Sequence, residues 1–160
     1  MKKSVLLISS FLFLFSLITS ADYVGVKKCR MCHKGEKRGK VFEKWAAREH
    51  ANAFETLKKA GKEKDPACLK CHVTGFNNGG YKIGDENASK FEGVQCEACH
   101  GPGSTYKKMS VMKDKNKALA AGLFYPKEKD CKVCHDDTKC KAAKKFNYKE
   151  YLKKIDHNYR

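Results

Sequence analysis

The sequence predicts a mainly α fold of short helices and long connections, too poor in apolar residues to build a large core of its own. Three observations lead there. A five-residue cysteine–histidine pattern occurs four times. The 160 residues are 32% charged, with a formal charge of +16. The one long apolar run lies at the start of the chain, apart from everything else.

The repeats decide the cofactor. Cys-x-x-Cys-His stands at Cys29-Cys32-His33, Cys68-Cys71-His72, Cys96-Cys99-His100 and Cys131-Cys134-His135. Together they use eight of the nine cysteines and four of the six histidines. The two-residue gap lets one helical turn present both sulfurs on the same side, with the imidazole projecting beside them. This is the attachment pattern of c-type haem. Two thiols add across the vinyl groups of one porphyrin, and the histidine ligates its iron. A single copy could be half of a zinc knuckle. Four copies, each with His directly after the second cysteine and all behind an export-like leader, point to four covalent haems. The expected architecture is therefore a multihaem cytochrome fold, with short helices and long loops wrapped around four stacked porphyrins. A haem buries far more apolar surface than a leucine, so modest hydrophobicity suffices.

In chain order, Lys2 and Lys3 precede an apolar run from Val5 to Ile18, and Thr19-Ser20-Ala21 supplies small residues. Residues 1–21 read as a secretory signal peptide cleaved before Asp22, leaving 22–160 as the tetrahaem domain. The run is short for a retained membrane span. Export fits the cofactor, because c-type haem is attached outside the cytoplasm, and the expected location is the periplasm. Without Lys2 and Lys3, the propionates of four haems would leave a charge of about +6. The lysines then neutralise propionates and favour redox proteins with acidic docking surfaces, or peripheral contact with an anionic membrane surface. Export argues against nucleic acid.

Lys40 to Lys59 has helical periodicity. Phe42, Ala46, His50, Ala53 and Leu57 fall on one stripe, flanked by Trp45 and Phe54, and Gly61 is a C-cap. A histidine on an apolar stripe is ordinarily a satisfied core residue. Where the core is haem, an inward imidazole between two attachment sites is a sixth ligand, and His50 is assigned that role. Trp45 is expected against a porphyrin edge. Asp65-Pro66 opens a turn into the second repeat. Gly75 to Tyr81 is a loop, with a small hairpin expected around Asn78-Gly79. Tyr81 and Phe91 either cover haem faces or anchor the loop.

Gly101-Pro102-Gly103 stops the third repeat abruptly. Helix is expected over 117–123. Met109 and Met112 lie just before it. Each is either a gap filler or a thioether ligand, and Met112 is the preferred ligand. Cys140 is left over and is assigned no role. In the tail, Tyr148, Tyr151, Leu152, Ile155 and Tyr159 share one helical face. His157 falls opposite them in a regular helix, and reaches iron only if the helix ends near Asp156.

The chain resembles the tetrahaem cytochrome c-554 family. The resemblance is carried by Trp45-Ala46-Ala47-Arg48-Glu49-His50-Ala51-Asn52-Ala53, by Cys68 to Phe76 with Gly79-Gly80-Tyr81, and by Gly93-Val94-Gln95-Cys96 through Gly103. Site four and Lys145-Phe146 extend it over nearly the whole mature chain. It implies a mainly helical fold with closely stacked haem pairs, and periplasmic electron transfer, in some relatives from hydroxylamine oxidoreductase in nitrogen metabolism. It also implies that His50 caps the third haem, held by His100, and that His157 caps the fourth, held by His135. The second haem, on His72, would be five-coordinate. The family's distal histidine for the first haem follows the Gly-Pro-Gly segment. This chain has only Met109 and Met112 there, so that haem is His/Met ligated or open.

Electron carriage is the leading function. The rival is a small-molecule oxidoreductase acting on nitric oxide, nitrite or hydroxylamine at an open haem. The sequence supplies no clear distal acid or base for such turnover.

Overall fold

The computed structural model describes residues 21–136, 138 and 145–157. The apolar leader, Cys140 and Tyr159 lie outside the described residues. The described part is mainly helical and contains no named strand; one isolated antiparallel bridge joins Val73 to Glu92. None of its helices is long and apolar enough to cross a membrane.

Helix α1 (Val26–His33) carries the first repeat. Helix α2 (Val41–Ala46) follows a 3-10 turn, and α3 (Ala53–Lys59) comes after a non-helical segment. The single helix expected over 40–59 is therefore broken, and His50 sits in the break. The cause is tertiary. The His50 carbonyl accepts from the Val94 amide at 2.9 Å, and Trp45 Nε1 donates to the Val94 carbonyl at 2.9 Å. The Ala51 carbonyl lies so close to Gly93 that a Cβ there would meet it at 2.6 Å. Pairing with 93–94 outweighs helix propensity in this stretch. Trp45 also packs against Phe42, with ring centroids 5.6 Å apart.

The caps follow the residue chemistry. Gly61 has φ 63, and the Lys62 amide reaches back to the Leu57 carbonyl at 2.9 Å, closing α3 as a Schellman turn. Asp65 caps α4 (Pro66–His72), its Oδ1 accepting from the Ala67 amide at 2.9 Å, with Pro66 at the first helical position. The loop after α4 folds on itself through Asn77 N to Tyr81 O and Tyr81 N to Thr74 O, both 2.9 Å. It is a glycine turn, not a strand hairpin. Gly80 is required there, since a Cβ would lie 2.3 Å from the Thr74 carbonyl.

Helix α5 (Cys96–His100) is the third repeat, and Gly101, at φ 84, ends it. Short helices α6 (Met109–Met112) and α7 (Lys115–Ala120) come next, the second capped by Asp114. The helix expected over 117–123 thus starts earlier and stops before Gly122. Helix α8 (Glu128–Cys131) opens the fourth repeat, and α9 (Tyr148–Ile155) closes the described chain.

Among the described residues eight apolar side chains are buried, in two clusters. Phe54, Leu57, Leu69, Val73 and Tyr81 pack between α3 and α4; Tyr106, Ala118 and Leu123 pack around α6 and α7. Tyr81 and Phe91 both belong to the first cluster, so they anchor the loop.

Candidate haem sites

All four repeats are built on a helical turn. In three of them histidine is the last residue of its helix: His33 of α1, His72 of α4 and His100 of α5. In the fourth, α8 ends at Cys131, but the His135 amide still reaches the Cys131 carbonyl at 2.9 Å. Each repeat therefore holds its two cysteines and its histidine on one side of one turn.

The imidazoles are prepared as ligands. His72 Nδ1 donates to the Ala53 carbonyl at 2.7 Å, and His100 Nδ1 to the Phe124 carbonyl at 2.9 Å. A carbonyl can only accept, so Nδ1 carries the hydrogen and Nε2 keeps its lone pair for a metal. His157 is set the same way by the Ile155 carbonyl at 2.9 Å. Burial holds four rings neutral. It lowers His33, with Arg38 and His157 adding to the effect. It lowers His50, with His135 adding. It lowers His135 as well. It also lowers His100, against the raising bond to Phe124 and with His157 and His33 adding. A neutral ring is what iron requires.

The rings face one another in pairs. The centroids of His50 and His135 are 5.8 Å apart, and those of His100 and His157 are 6.0 Å apart. At these separations the two rings of each pair would both be available to hold one iron. The residues therefore fit the group the repeats imply. Among the described residues no three His, Cys, Asp or Glu side chains converge on one point, as a zinc knuckle requires. His135 is further held by Phe146, stacked at 4.8 Å and 13°, and by the edge of Tyr151 at 5.6 Å.

These ring neighbours differ from those the resemblance implies. His50 faces His135 of the fourth repeat, not His100 of the third. His157 faces His100, not His135. The exchange follows from the broken helix, which leaves His50 in a turn, and from α9 ending at Ile155, which frees His157 from the helical face.

The sulfurs show how the sites adjoin. The Cys29 thiol hydrogen-bonds to Cys96, which pushes Cys29 up and Cys96 down. The first and third repeats thus touch. Burial, with Cys131 nearby, pushes Cys99 up to about 11, so the third repeat also neighbours the fourth. His72 binds Ala53, three residues after His50, which connects the second repeat to the segment facing the fourth.

The methionines divide. Met109 is 56% exposed, while Met112 packs against the Tyr106, Ala118 and Leu123 cluster. Tyr106 lies close enough to Cys29 and Cys96 for both to raise its pKa, after burial and Glu97. Spacing gave no sign of Phe146, of Tyr125, whose ring meets that of His100 edge-on at 5.9 Å, or of Glu97 as neighbours of these sites. Glu97 occupies a variable position inside a repeat, and only its burial singles it out.

Residues 28–101 match the family described as cytochrome c554 and c-prime. The chain is 33% identical over 174 residues to cytochrome c-554 of Nitrosomonas europaea, covering 90% of this chain and 71% of that protein. The chain belongs to the cytochrome c-554 family. The solved structure of reduced cytochrome c554 from Nitrosomonas europaea superposes with a TM-score of 0.59 at 28% identity, over 84% of this chain and 78% of that one. This member of the cytochrome c-554 family is accordingly a multihaem c-type cytochrome with covalently attached haem, and an electron carrier.

Proposed function

We propose that the chain carries four c-type haems, one on each repeat, and passes electrons between acidic redox proteins in the periplasm. The observation that carries this is the pair of imidazole gaps, 5.8 Å at His50–His135 and 6.0 Å at His100–His157. When bound, haem supplies a one-electron ferric–ferrous couple. The chain's part is to fix the sulfurs, orient each Nε2 and bring the four sites together.

In this reading His33, His72, His100 and His135 are proximal ligands. His157 completes the third site and His50 the fourth. Met112 is assigned to the first, supported by its packing with Tyr106 beside Cys29. The His72 site keeps an open position, since both remaining histidines are used elsewhere. The sulfur neighbours support a path that runs first, third, fourth, second. Lysines at the exposed edges, such as Lys132 beside the 62%-exposed Val133, steer acidic partners, with rates that fall as salt rises.

The test is mass spectrometry and electron paramagnetic resonance of the protein matured in a periplasm. Four covalent haems, with at least two low-spin ferric signals and one high-spin signal, are expected. Fewer than four haems per chain contradicts the stoichiometry. A fully low-spin spectrum contradicts the open position at His72.

A further inference from the structure

Each repeat leaves two inner positions free to vary. The first of them is exposed Arg30 in repeat one and exposed Lys132 in repeat four. In repeat two it is Leu69, inside the apolar cluster. In repeat three it is Glu97, only 1% exposed. A carboxylate taken out of water is strongly disfavoured unless its oxygens are fully satisfied.

The partners of Glu97 are backbone amides. Its Oε1 accepts from Gly103 N at 2.6 Å and Val24 N at 2.9 Å. Its Oε2 accepts from Gly25 N at 2.7 Å and Val24 N at 3.1 Å. Amides only donate, so the nest is built for the ionised form; a carboxylic acid proton would find no acceptor among them. Gly103 is fitted to this contact, because a Cβ there would lie 2.9 Å from Oε1.

The donors come from two places. Val24 and Gly25 lead into the first repeat, and Gly103 follows the third. Neighbouring bonds tie the same segments: Val26 N to Gln95 Oε1 at 2.8 Å, and Asp22 N to Ser104 Oγ at 2.8 Å. One negative charge, held by amide dipoles, thus sits next in sequence to Cys96 and binds the segment that leads into Cys29.

We propose that Glu97 is the internal counter-anion of the first and third haem sites, holding the reduction potentials of both below the values they would have without it. The proposal rests on reading Cys29–His33 and Cys96–His100 as haem sites. Ferric haem carries one more positive charge than ferrous haem, so a nearby anion favours the oxidised form. The interior position shields this effect from salt, unlike that of the surface lysines. Glu97 acts as a positioning residue, and its charge biases electrons away from the touching pair toward the fourth and second sites.

The experiment is a redox titration of the holoprotein, with each ferric signal followed by electron paramagnetic resonance. Glu97→Gln is expected to raise the midpoints of two haems and leave the others in place. Glu97→Asp keeps the charge and should leave all midpoints near native. Gln95→Ala loosens the same strap without altering charge and should also leave them near native. No shift in Glu97→Gln overturns the proposal, and so does an equal shift in Glu97→Asp or Gln95→Ala. If Glu97→Gln does not load haem, the native protein decides, through its reduced-minus-oxidised infrared spectrum with isotope-labelled glutamate. A perturbed carboxylate band is expected. A protonated carboxyl band rising on reduction, or no glutamate band, overturns the assignment. Failure of the haem-site reading itself would show separately, as native protein lacking haem mass at these two repeats.

Discussion

The ring of His157 stands 6.0 Å from that of His100, at 82°, although 56 residues of chain lie between them. The end of the described chain folds back over the third repeat, while the turn before α3 covers the fourth. Neither His50 nor His157 lies inside a helix. A helix fixes its side chains on a cylinder, whereas a turn or a frayed end can place a ring wherever an opposing ligand needs it.

Two variants test this crossing directly. His157→Ala is expected to convert one low-spin ferric signal to high spin, belonging to the third site. His50→Ala should do the same for the fourth. The assignment is read by removing a haem first. In a protein whose Cys131 and Cys134 are alanine, His50→Ala should change nothing further, while His157→Ala should still add one high-spin signal. The reverse pattern restores the pairing expected from family resemblance.

The turn that carries His50 depends on Gly93. Its φ is 79, and a Cβ would lie 2.6 Å from the Ala51 carbonyl and 3.2 Å from that of His50. Backbone cannot yield as a flexible side chain does. Gly93→Ala is therefore expected to displace His50 and raise the high-spin fraction at the fourth site. Gly61→Ala is the control. It has nothing within 4 Å and φ 63, so only the left-handed backbone is penalised, by about 1 kcal/mol. A thermal melt should register both changes, and the ferric spectrum only the first.

The cofactor was legible in the sequence because covalent attachment demands fixed residues at fixed spacing. Asp65-Pro66 and Gly61 were legible for a similar reason, since their capping is local. The stripe through Ala46, His50 and Ala53 read one continuous helix where the chain turns between α2 and α3. Long-range bonds from Val94 to His50 and from Trp45 to Val94 break that helix, and helical periodicity carries no trace of them. The partners of His50 and His157 were hidden for the same reason. Glu97 was silent because its satisfaction comes from backbone amides remote in sequence, which any residue type can supply.

Leu69 is wholly buried inside the second repeat, one residue after Cys68. It packs α4 against α3, which positions the Ala53 carbonyl that orients His72. Leu69→Ala should cost about 2–5 kcal/mol, by lost transfer energy and a residual cavity. Asp65→Ala removes only the exposed cap of the same helix and should cost less. Denaturant titrations of the two holoproteins check the order. An equal loss in both would mean that the cluster closes around the truncated side chain.

Acid is expected to loosen this protein earlier than carboxylate titration alone would. His33, His50, His100 and His135 are all lowered by burial in the folded chain. The unfolded chain keeps ordinary imidazoles, which protonate near about pH 6.5. Between that value and the lowered ones, the unfolded state binds more protons, so stability falls as pH falls. It is fully present above about pH 6.5. Iron ligation acts in the same direction, because a bound imidazole must stay neutral. Thermal midpoints should be level from about pH 8 to about pH 7, then drop steadily toward about pH 5, well before carboxylates titrate near about pH 4. Low-spin absorption should decline across the same window. Midpoints that stay level down to about pH 5 would mean the buried imidazoles do not control the fold.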